Sequence, residues 1–178
     1  MLEEIRKEVR EWSKKILEEP RESLGDWPVC PFAKGAWEAN AVGIDVVDDW
    51  RDVIKGIHDF IENKSAITIL VKMEPDDWDM DEFQEDVRKL NKQWSKKNVY
   101  SLGLHPWDER TFLAQSTEED PELGLHDEYV FVLLFRLDEL NIASKSLEED
   151  GFYKEWTPEL YYEVLARRKL GEGKNNAN

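Results

Sequence analysis

The sequence predicts an α/β or α+β fold in which helices pack on a mixed four-stranded sheet, with a two-layer sandwich expected. Two observations lead to this fold class. Four short segments are rich in β-branched and other apolar residues, and amphipathic helical patterns separate the first three of them. This alternation implies parallel crossovers between the first three strands, whereas the fourth strand can pair in either direction.

The chain begins with an amphipathic helix. Its apolar residues recur at intervals of three and four, in the order Leu2, Ile5, Val9, Trp12 and Ile16. This pattern predicts about four helical turns with one apolar stripe, and Pro20 ends the helix. Residues 20–38 form a loop rich in proline, glycine and large aromatic residues. We expect this loop to pack against the domain, because a solvated linker contains fewer large apolar groups.

The central part of the chain alternates between strands and helices. Strands are predicted at 41–47, 66–72 and 99–104, and apolar stripes predict helices at 50–61 and 83–97. Asp48 or Asp49 is expected to cap the first of these two helices, because aspartate side chains accept hydrogen bonds from helical N–H groups. The strand at 66–72 is almost continuously apolar, which indicates a central position in the sheet.

The last third of the chain starts with an irregular stretch at 105–127. Such a long stretch inside a compact domain is usually either functional or disordered. The remaining predicted elements are a strand at 129–137, a helix at 138–149 and a final helix that ends before Gly171. Thr157 and Pro158 predict the start of the final helix, as N-cap and first helical residue.

Composition and charge limit the function classes. The chain has 178 residues, with 24 Lys and Arg against 40 Asp and Glu, which gives a formal net charge of −16. A surface this acidic repels phosphate groups, so we expect no binding to nucleic acid or to anionic membranes. The length suits a single globular domain, which we place at residues 1–172, followed by a frayed tail at 173–178.

The cysteine content and hydropathy bear on location. No apolar run approaches the roughly 18 residues of a membrane-spanning helix, and the charged N-terminus lacks the apolar centre of a signal peptide. A single cysteine permits no disulfide within the chain. We therefore expect a cytoplasmic location.

The first candidate for chemistry is Cys30, in the segment 28–34 with the sequence PVCPFAK. Proline favours the first position of a helix, so Pro31 predicts that Cys30 is a helix N-cap. Unpaired N–H groups and the helix dipole would lower the pKa of the thiol there, and Lys34 would add positive charge. The competing interpretation is a small buried cysteine in a rigid proline turn.

The second candidate is His105, at the end of the third predicted strand and the start of the sequence HPWD at 105–108. Ligands bind at the carboxyl ends of strands that are joined by parallel crossovers. His105 would serve there as an acid, a base or a ligand, and Asp108 would orient its imidazole. The competing interpretation is a histidine that ends the strand and is hydrogen-bonded to the loop.

Together these candidates predict a site between the Cys30 loop and the His105 loop. Its catalytic residues would be Cys30, His105 and Asp108. The side chains expected to bind a ligand are Lys34, Trp37, Trp107, Phe112 and His126. The sequence indicates no particular cofactor.

A metal site is a related interpretation that the spacing of the residues does not favour. If the third and fourth strands are antiparallel neighbours, His105 and His126 approach each other at one rim of the sheet. With Cys30 and Asp108 they would form a ligand set for zinc or iron. Because neither an H-x-x-x-H nor a C-x-x-C pattern is present, the sequence predicts no metal site.

A family resemblance rests on several short motifs. They occur in the order Val9-Arg10-Glu11-Trp12, Cys30-Pro31-Phe32-Ala33, Leu104-His105-Pro106 and Phe112. In this order the chain resembles an uncharacterised bacterial family with a CPFA motif (domain of unknown function 1415), from residue 5 to about 150. The resemblance draws attention to Cys30 and His105, and it implies no particular reaction, cofactor or partner.

Two functions follow from these observations. The first is a small enzyme or ligand-binding protein whose site lies between the Cys30 and His105 loops, and the sequence leaves open whether it is catalytic. The second is a non-catalytic interaction module whose acidic surface binds a basic partner. The expected partner is therefore either a small-molecule ligand or a basic protein, and the oligomeric state stays open.

Overall fold

The computed structural model describes residues 1–63, 65–108, 128–162 and 165. The helices are α1 (Leu2–Trp12), α2 (Ala33–Glu38), α3 (Trp50–Glu62), α4 (Met80–Trp94), α5 (Leu137–Asp150) and α6 (Pro158–Tyr161). The strands are β1 (Pro20–Arg21), β2 (Trp27–Pro28), β3 (Val42–Val46), β4 (Ile67–Lys72), β5 (Val99–Leu104) and β6 (Val130–Arg136). Short helical turns are Ser13–Glu18, Glu22–Leu24, Pro75–Asp77 and Ser95–Lys97.

The main sheet has four strands in the order β3-β4-β6-β5. β3 and β4 are parallel, and β6 runs antiparallel to both β4 and β5, so the predicted mixed sheet is confirmed. The register pairs Ile44 with Ile69, and Leu133 with both Ile69 and Leu102. The central position predicted for the strand at 66–72 is also confirmed, because β4 lies between β3 and β6.

Both faces of the sheet carry a hydrophobic core. On one face α1 packs through Ile5, Val9 and Trp12 against side chains that include Ile69 and Phe131. On the other face α3 and α4 cover residues that alternate with these, including Leu70, Val132 and Leu134. Because successive side chains of a strand point to opposite faces, helices pack on both sides. The arrangement has three layers where the sequence predicted two.

Helix capping explains where α3 and α4 begin. The Asp49 side chain accepts hydrogen bonds from the backbone N–H groups of Arg51 and Asp52, which confirms one of the two predicted caps. Asp79 caps α4 in the same way, with Asp81 and Glu82 as donors. Each cap satisfies helical N–H groups that have no partner within the helix.

The N-terminal segment differs from the prediction in detail. The first helix does not end as a regular α-helix, because Ser13–Glu18 continues it as a π-helix up to the turn before Pro20. The expected loop at 20–38 contains the antiparallel β1–β2 pair and α2. It packs against the α1 side of the sheet through Leu24 and Val29, as predicted.

Several predictions fall on residues that the structure does not describe. These are most of the irregular stretch at 105–127, the final helix beyond Tyr161 apart from isolated positions, and the tail at 173–178. Among the helices that the structure describes, none is long and apolar enough to cross a membrane.

Candidate functional site

Cys30 lies in the turn between β2 and α2. Its N–H donates to Leu17 O over 2.9 Å, and its carbonyl accepts from Ala33 N–H over 3.2 Å. The helix begins at Ala33 with Phe32 as the N-cap, so the prediction that Cys30 caps the helix is wrong. Cys30 instead occupies the turn that leads into α2, two residues before the N-cap.

The electrostatic surroundings of Cys30 favour a neutral thiol. Burial raises the pKa of Cys30 above its ordinary value, although hydrogen bonds from the backbone N–H groups of Phe32 and Ala33 act in the opposite direction. The Glu18 carboxylate raises the pKa further. Lys34 lies at the surface, with its Nζ 3.9 Å from Glu38 Oε1. The local charges therefore do not activate the thiol as a nucleophile.

Trp37, predicted to bind a ligand, is engaged in packing around α1. Its Nε1 donates to Ser13 Oγ over 2.9 Å. The guanidinium groups of Arg6 and Arg10 lie 5.4 Å and 5.2 Å from the centre of the Trp37 ring. These contacts, which include cation–π interactions, fix α2 against α1.

His105 is fully buried, with 0% of its surface exposed. Its Nδ1 accepts a hydrogen bond from Trp107 N–H over 3.3 Å, and its Nε2 lies 3.1 Å from Trp78 O. With Nδ1 as the acceptor, Nε2 carries the proton and donates to the Trp78 carbonyl. The imidazole therefore links the loop after β5 to the turn before α4.

Asp108 and Trp107 complete this loop. Asp108 is 4% exposed, and its N–H donates to His105 O over 3.0 Å, which closes a tight turn. Because both imidazole nitrogens bond backbone groups, Asp108 is not the residue that orients His105, contrary to the prediction. The Trp107 ring lies 5.1 Å from the His105 ring and is 52% exposed.

The contacts described for Cys30 and for His105 involve different hydrophobic cores. Leu17, which bonds the Cys30 backbone, and the neighbouring Val29 both belong to the core beneath α1. His105 packs against Phe83, at 5.8 Å between ring centres, and Phe83 belongs to the core beneath α3 and α4. The described contacts therefore do not bring the two predicted catalytic residues together.

The other predicted ligand-binding residues, Phe112 and His126, lie outside the described residues. β5 and β6 are indeed antiparallel neighbours, which was the condition for His105 and His126 to approach. Within residues 1–63, 65–108, 128–162 and 165, no three His, Cys, Asp or Glu side chains form a group that could hold a metal ion.

Sequence reasoning missed the difference between the two outer strands of the sheet. At β5, amide side chains of α4 bond three of the outer backbone groups. Asn91 Nδ2 donates to Ser101 O over 2.8 Å, and Asn91 Oδ1 accepts from Ser101 N–H over 2.6 Å. Gln84 Nε2 donates to Gly103 O over 3.3 Å. A further strand at this edge would have to displace these amide side chains.

At β3, the opposite outer strand, every second residue directs its backbone polar groups away from β4. Val47 N–H donates to Val71 O over 3.0 Å, and Ile67 N–H donates to Ala41 O over 3.3 Å. Since alternate residues of a parallel pair bond the neighbouring strand, the odd-numbered residues of β3 face β4. The even-numbered residues face outward.

We call the outward N–H and C=O groups of Val42, Ile44 and Val46 the β3 edge. Arg6 Nη1 donates to Val42 O over 3.3 Å and occupies one of these groups. Within the described part of the chain, the outward N–H and C=O groups of Ile44 and Val46 have no hydrogen-bond partner. Unpaired groups in an outer strand form a template for another strand.

Two hollows flank the β3 edge. A groove of about 650 Å³ lies between α1 and the start of β3, and its lining includes Leu2, Glu3 and Arg6. A smaller hollow of about 110 Å³ lies between β3 and α3. These hollows adjoin β3 on the α1 side and on the α3 side of the sheet.

The smaller hollow is acidic. Asp45, Asp52 and Asp59 line it together with one basic residue, Lys55. Asp45 and Asp59 are exposed. An exposed aspartate within the otherwise apolar segment at 41–47 was the sequence signal for an outer strand, because charged residues are typical of sheet edges.

Comparison of the chain with protein-family models, curated proteins and solved structures finds no match. The resemblance to the CPFA-motif family therefore stays a prediction.

Proposed function

We propose that the chain is a non-catalytic interaction module that binds a basic segment of a partner protein beside β3. The proposal rests on the β3 edge, where the outward groups of Ile44 and Val46 have no partner among the described residues, and on the acidic side chains next to it. The formal net charge of −16 attracts a basic partner over a long range and speeds its association. A cytoplasmic location belongs to the same proposal and rests on the single cysteine.

The alternative function, an enzyme with a site between the Cys30 and His105 loops, has less support. The thiol of Cys30 has a raised pKa, and both nitrogens of the His105 imidazole bond backbone groups. A general base needs a free nitrogen near the reacting proton, and a cysteine nucleophile needs the thiolate. The contacts of both residues are typical of structural roles.

A labelled heptapeptide with alternating lysine and threonine tests the proposal. We expect saturable binding by fluorescence anisotropy at low salt, and weaker binding as salt rises. Replacing Asp45 and Asp59 together by asparagine should weaken binding about fivefold, because two exposed charge pairs are lost. The control replaces Glu11 and Glu149, two exposed acids on other elements, by glutamine and removes the same charge.

Absence of saturable binding would overturn the proposal. So would equal losses of affinity in the aspartate double variant and in the glutamate double variant, because the attraction would then come from net charge alone. A peptide with glutamate in place of lysine should not bind at any salt concentration used.

A further inference from the structure

We propose that the basic segment binds as an added strand, extending the four-stranded sheet at the β3 edge. This inference rests on the proposed function and specifies how the partner is recognised. In strand addition, backbone hydrogen bonds supply much of the affinity, and side chains on alternating positions supply specificity.

The backbone of β3 supplies the first element of recognition. Ile44 and Val46 each offer an outward N–H and an outward C=O, spaced about 6.6 Å apart, as two residues of an extended strand are. Arg6 donates a hydrogen bond to the carbonyl of Val42, so this group at one end of the β3 edge is already occupied. An added strand would therefore pair mainly with Ile44 and Val46.

The two faces of the sheet supply the second element. On the α3 side, an added strand would place every second side chain near Asp45, Asp52 and Asp59, which outnumber Lys55. On the α1 side, the groove offers Leu2 together with one acidic and one basic residue, Glu3 and Arg6. The charges therefore select an extended segment with lysine or arginine at alternate positions and with small polar or apolar residues between them.

The same charges disfavour a second copy of this chain on the β3 edge. Pairing of β3 with β3 of another copy would bring two sets of these aspartates together, and each copy carries a formal net charge of −16. Like charges that face each other across paired strands are destabilising. The β5 edge is a poor alternative partner for β3, because Asn91 and Gln84 occupy the N–H and C=O of Ser101 and the C=O of Gly103.

Backbone methylation of the probe peptide tests strand addition directly. One peptide carries N-methyl groups on its lysines and a second carries them on its threonines, with the sequence unchanged. In an added strand only one of these sets of N–H groups faces β3. We expect one methylated peptide to bind about tenfold or more weakly, and the other to bind as the unmethylated peptide does.

A protein variant tests the same contact from the other side. Val46→Pro removes one outward N–H of β3 and leaves the hydrogen bonds to β4, since the odd-numbered residues make them. Proline is tolerated in outer strands at such positions. Val46→Ala is the matched control, because it shortens the side chain and keeps the N–H. We expect weaker peptide binding for Val46→Pro than for Val46→Ala, with circular dichroism confirming that both fold.

The outcomes separate the two proposals. If both methylated peptides bind equally while the Asp45 and Asp59 dependence remains, strand addition is overturned and the proposed function stands. If neither methylated peptide nor the unmethylated peptide binds, both proposals fail. A dimer in sedimentation analysis that Val46→Pro dissociates would show that a second copy occupies the edge, which also overturns the inference. If Val46→Pro does not fold, the methylated peptides decide.

Discussion

The side-chain amide of Asn91 forms two hydrogen bonds with the backbone of Ser101, one in each direction. Nδ2 donates to Ser101 O over 2.8 Å, and Oδ1 accepts from Ser101 N–H over 2.6 Å. One side chain of α4 thus takes the place that a neighbouring strand would have. This contact occupies the outward N–H and C=O of Ser101 in β5, whereas in β3 the outward groups of Ile44 and Val46 have no partner among the residues that the structure describes.

Asn91→Ala should destabilise the fold. The substitution leaves the N–H and C=O of Ser101 without the Asn91 amide, which costs about 1–3 kcal/mol of unfolding free energy. Urea unfolding followed by circular dichroism measures this loss. Gln93→Ala, at an exposed position of the same helix, is the control and should change stability little. Equal stability of the two variants would contradict the role given to Asn91.

His105→Phe should also destabilise the fold. Phenylalanine keeps the packing against Phe83 and removes both ring nitrogens, so that Trp78 O and Trp107 N–H lose their partner. We expect a loss of about 1–3 kcal/mol in chemical unfolding. His58→Phe is the matched control, since His58 is exposed. If both variants are as stable as the parent protein, the imidazole does not link the two loops.

Cys30 should react slowly with iodoacetamide in the folded protein. Because burial raises the thiol pKa, the thiolate fraction at a given pH is lower than in the chain unfolded in urea. Labelling followed by mass spectrometry compares the two rates, and Cys30→Ser reports any reaction elsewhere. If the labelling rates of the folded and the unfolded protein are equal, folding neither shields the thiol nor raises its pKa.

The same raised pKa predicts a pH dependence of stability. Below about pH 8.5, the ordinary thiol value, Cys30 is protonated in both states and its contribution is fully present. As the pH rises further, the unfolded chain releases this proton first, so stability falls. Cys30→Ala should show a smaller decline between about pH 8 and 9.5. If the free energy of unfolding declines equally with pH in Cys30→Ala and in the parent protein, the pKa of Cys30 is not raised in the folded state.

Loss of the ion pair between Lys72 and Asp77 should lower the stability of the fold as the pH becomes acidic. Lys72 Nζ lies 2.7 Å from Asp77 Oδ2, the Lys72 side chain is 5% exposed, and the ammonium lowers the pKa of Asp77. The stabilisation is present above the ordinary carboxyl value of about 3.9 and is lost as the pH falls through the lower folded-state value. Asp77→Asn should therefore be less stable than the parent at neutral pH.

Urea unfolding at several pH values measures this difference, which should shrink below about pH 4. Asp76→Asn removes an exposed neighbouring carboxylate and serves as the control. A difference between Asp77→Asn and the parent that stays constant down to about pH 2 would exclude the ion pair as its source.

Gly103→Ala should be unfavourable because α4 packs closely on β5. A Cβ at Gly103 would lie 2.8 Å from both Phe83 Cε1 and Val87 Cγ2. Such overpacking typically costs about 1–3 kcal/mol. The control is Gly35→Ala in α2, where nothing lies within 4 Å of the added atom and alanine favours the helix. In thermal unfolding, the melting temperature of Gly35→Ala should be higher than that of the parent protein, and that of Gly103→Ala should be lower.

Local sequence signals account for much of the fold. The apolar stripes of α3 and α4, the Asp49 cap and the apolar run of β4 involve residues close together in the chain. Periodicity and capping depend on such short separations, so a single sequence is enough to detect them. The short β1–β2 pair escaped detection because strands of two residues have no periodicity.

The candidate site depended on longer-range contacts. Sequence reasoning placed Cys30 and His105 in loops, and only the tertiary contacts showed that Val29, next to Cys30, and Phe83, which contacts His105, belong to different cores. The partner of His105 Nε2 is the carbonyl of Trp78, 27 residues earlier. No local pattern encodes such a hydrogen bond, because it depends on how the turn before α4 docks.

By itself, the sequence determined the strongly acidic charge, the mixed helix and strand content and the central position of β4. Only the tertiary structure decided that β6 inserts between β4 and β5, which leaves β3 and β5 as the outer strands. It also decided that Asn91 and Gln84 bond outward groups of β5, while the outward groups of Ile44 and Val46 have no partner in the described part of the chain. The physical reason is that every residue except proline carries the same backbone N–H and C=O groups. The side-chain pattern therefore does not tell which strands pair, and the strand order decides it.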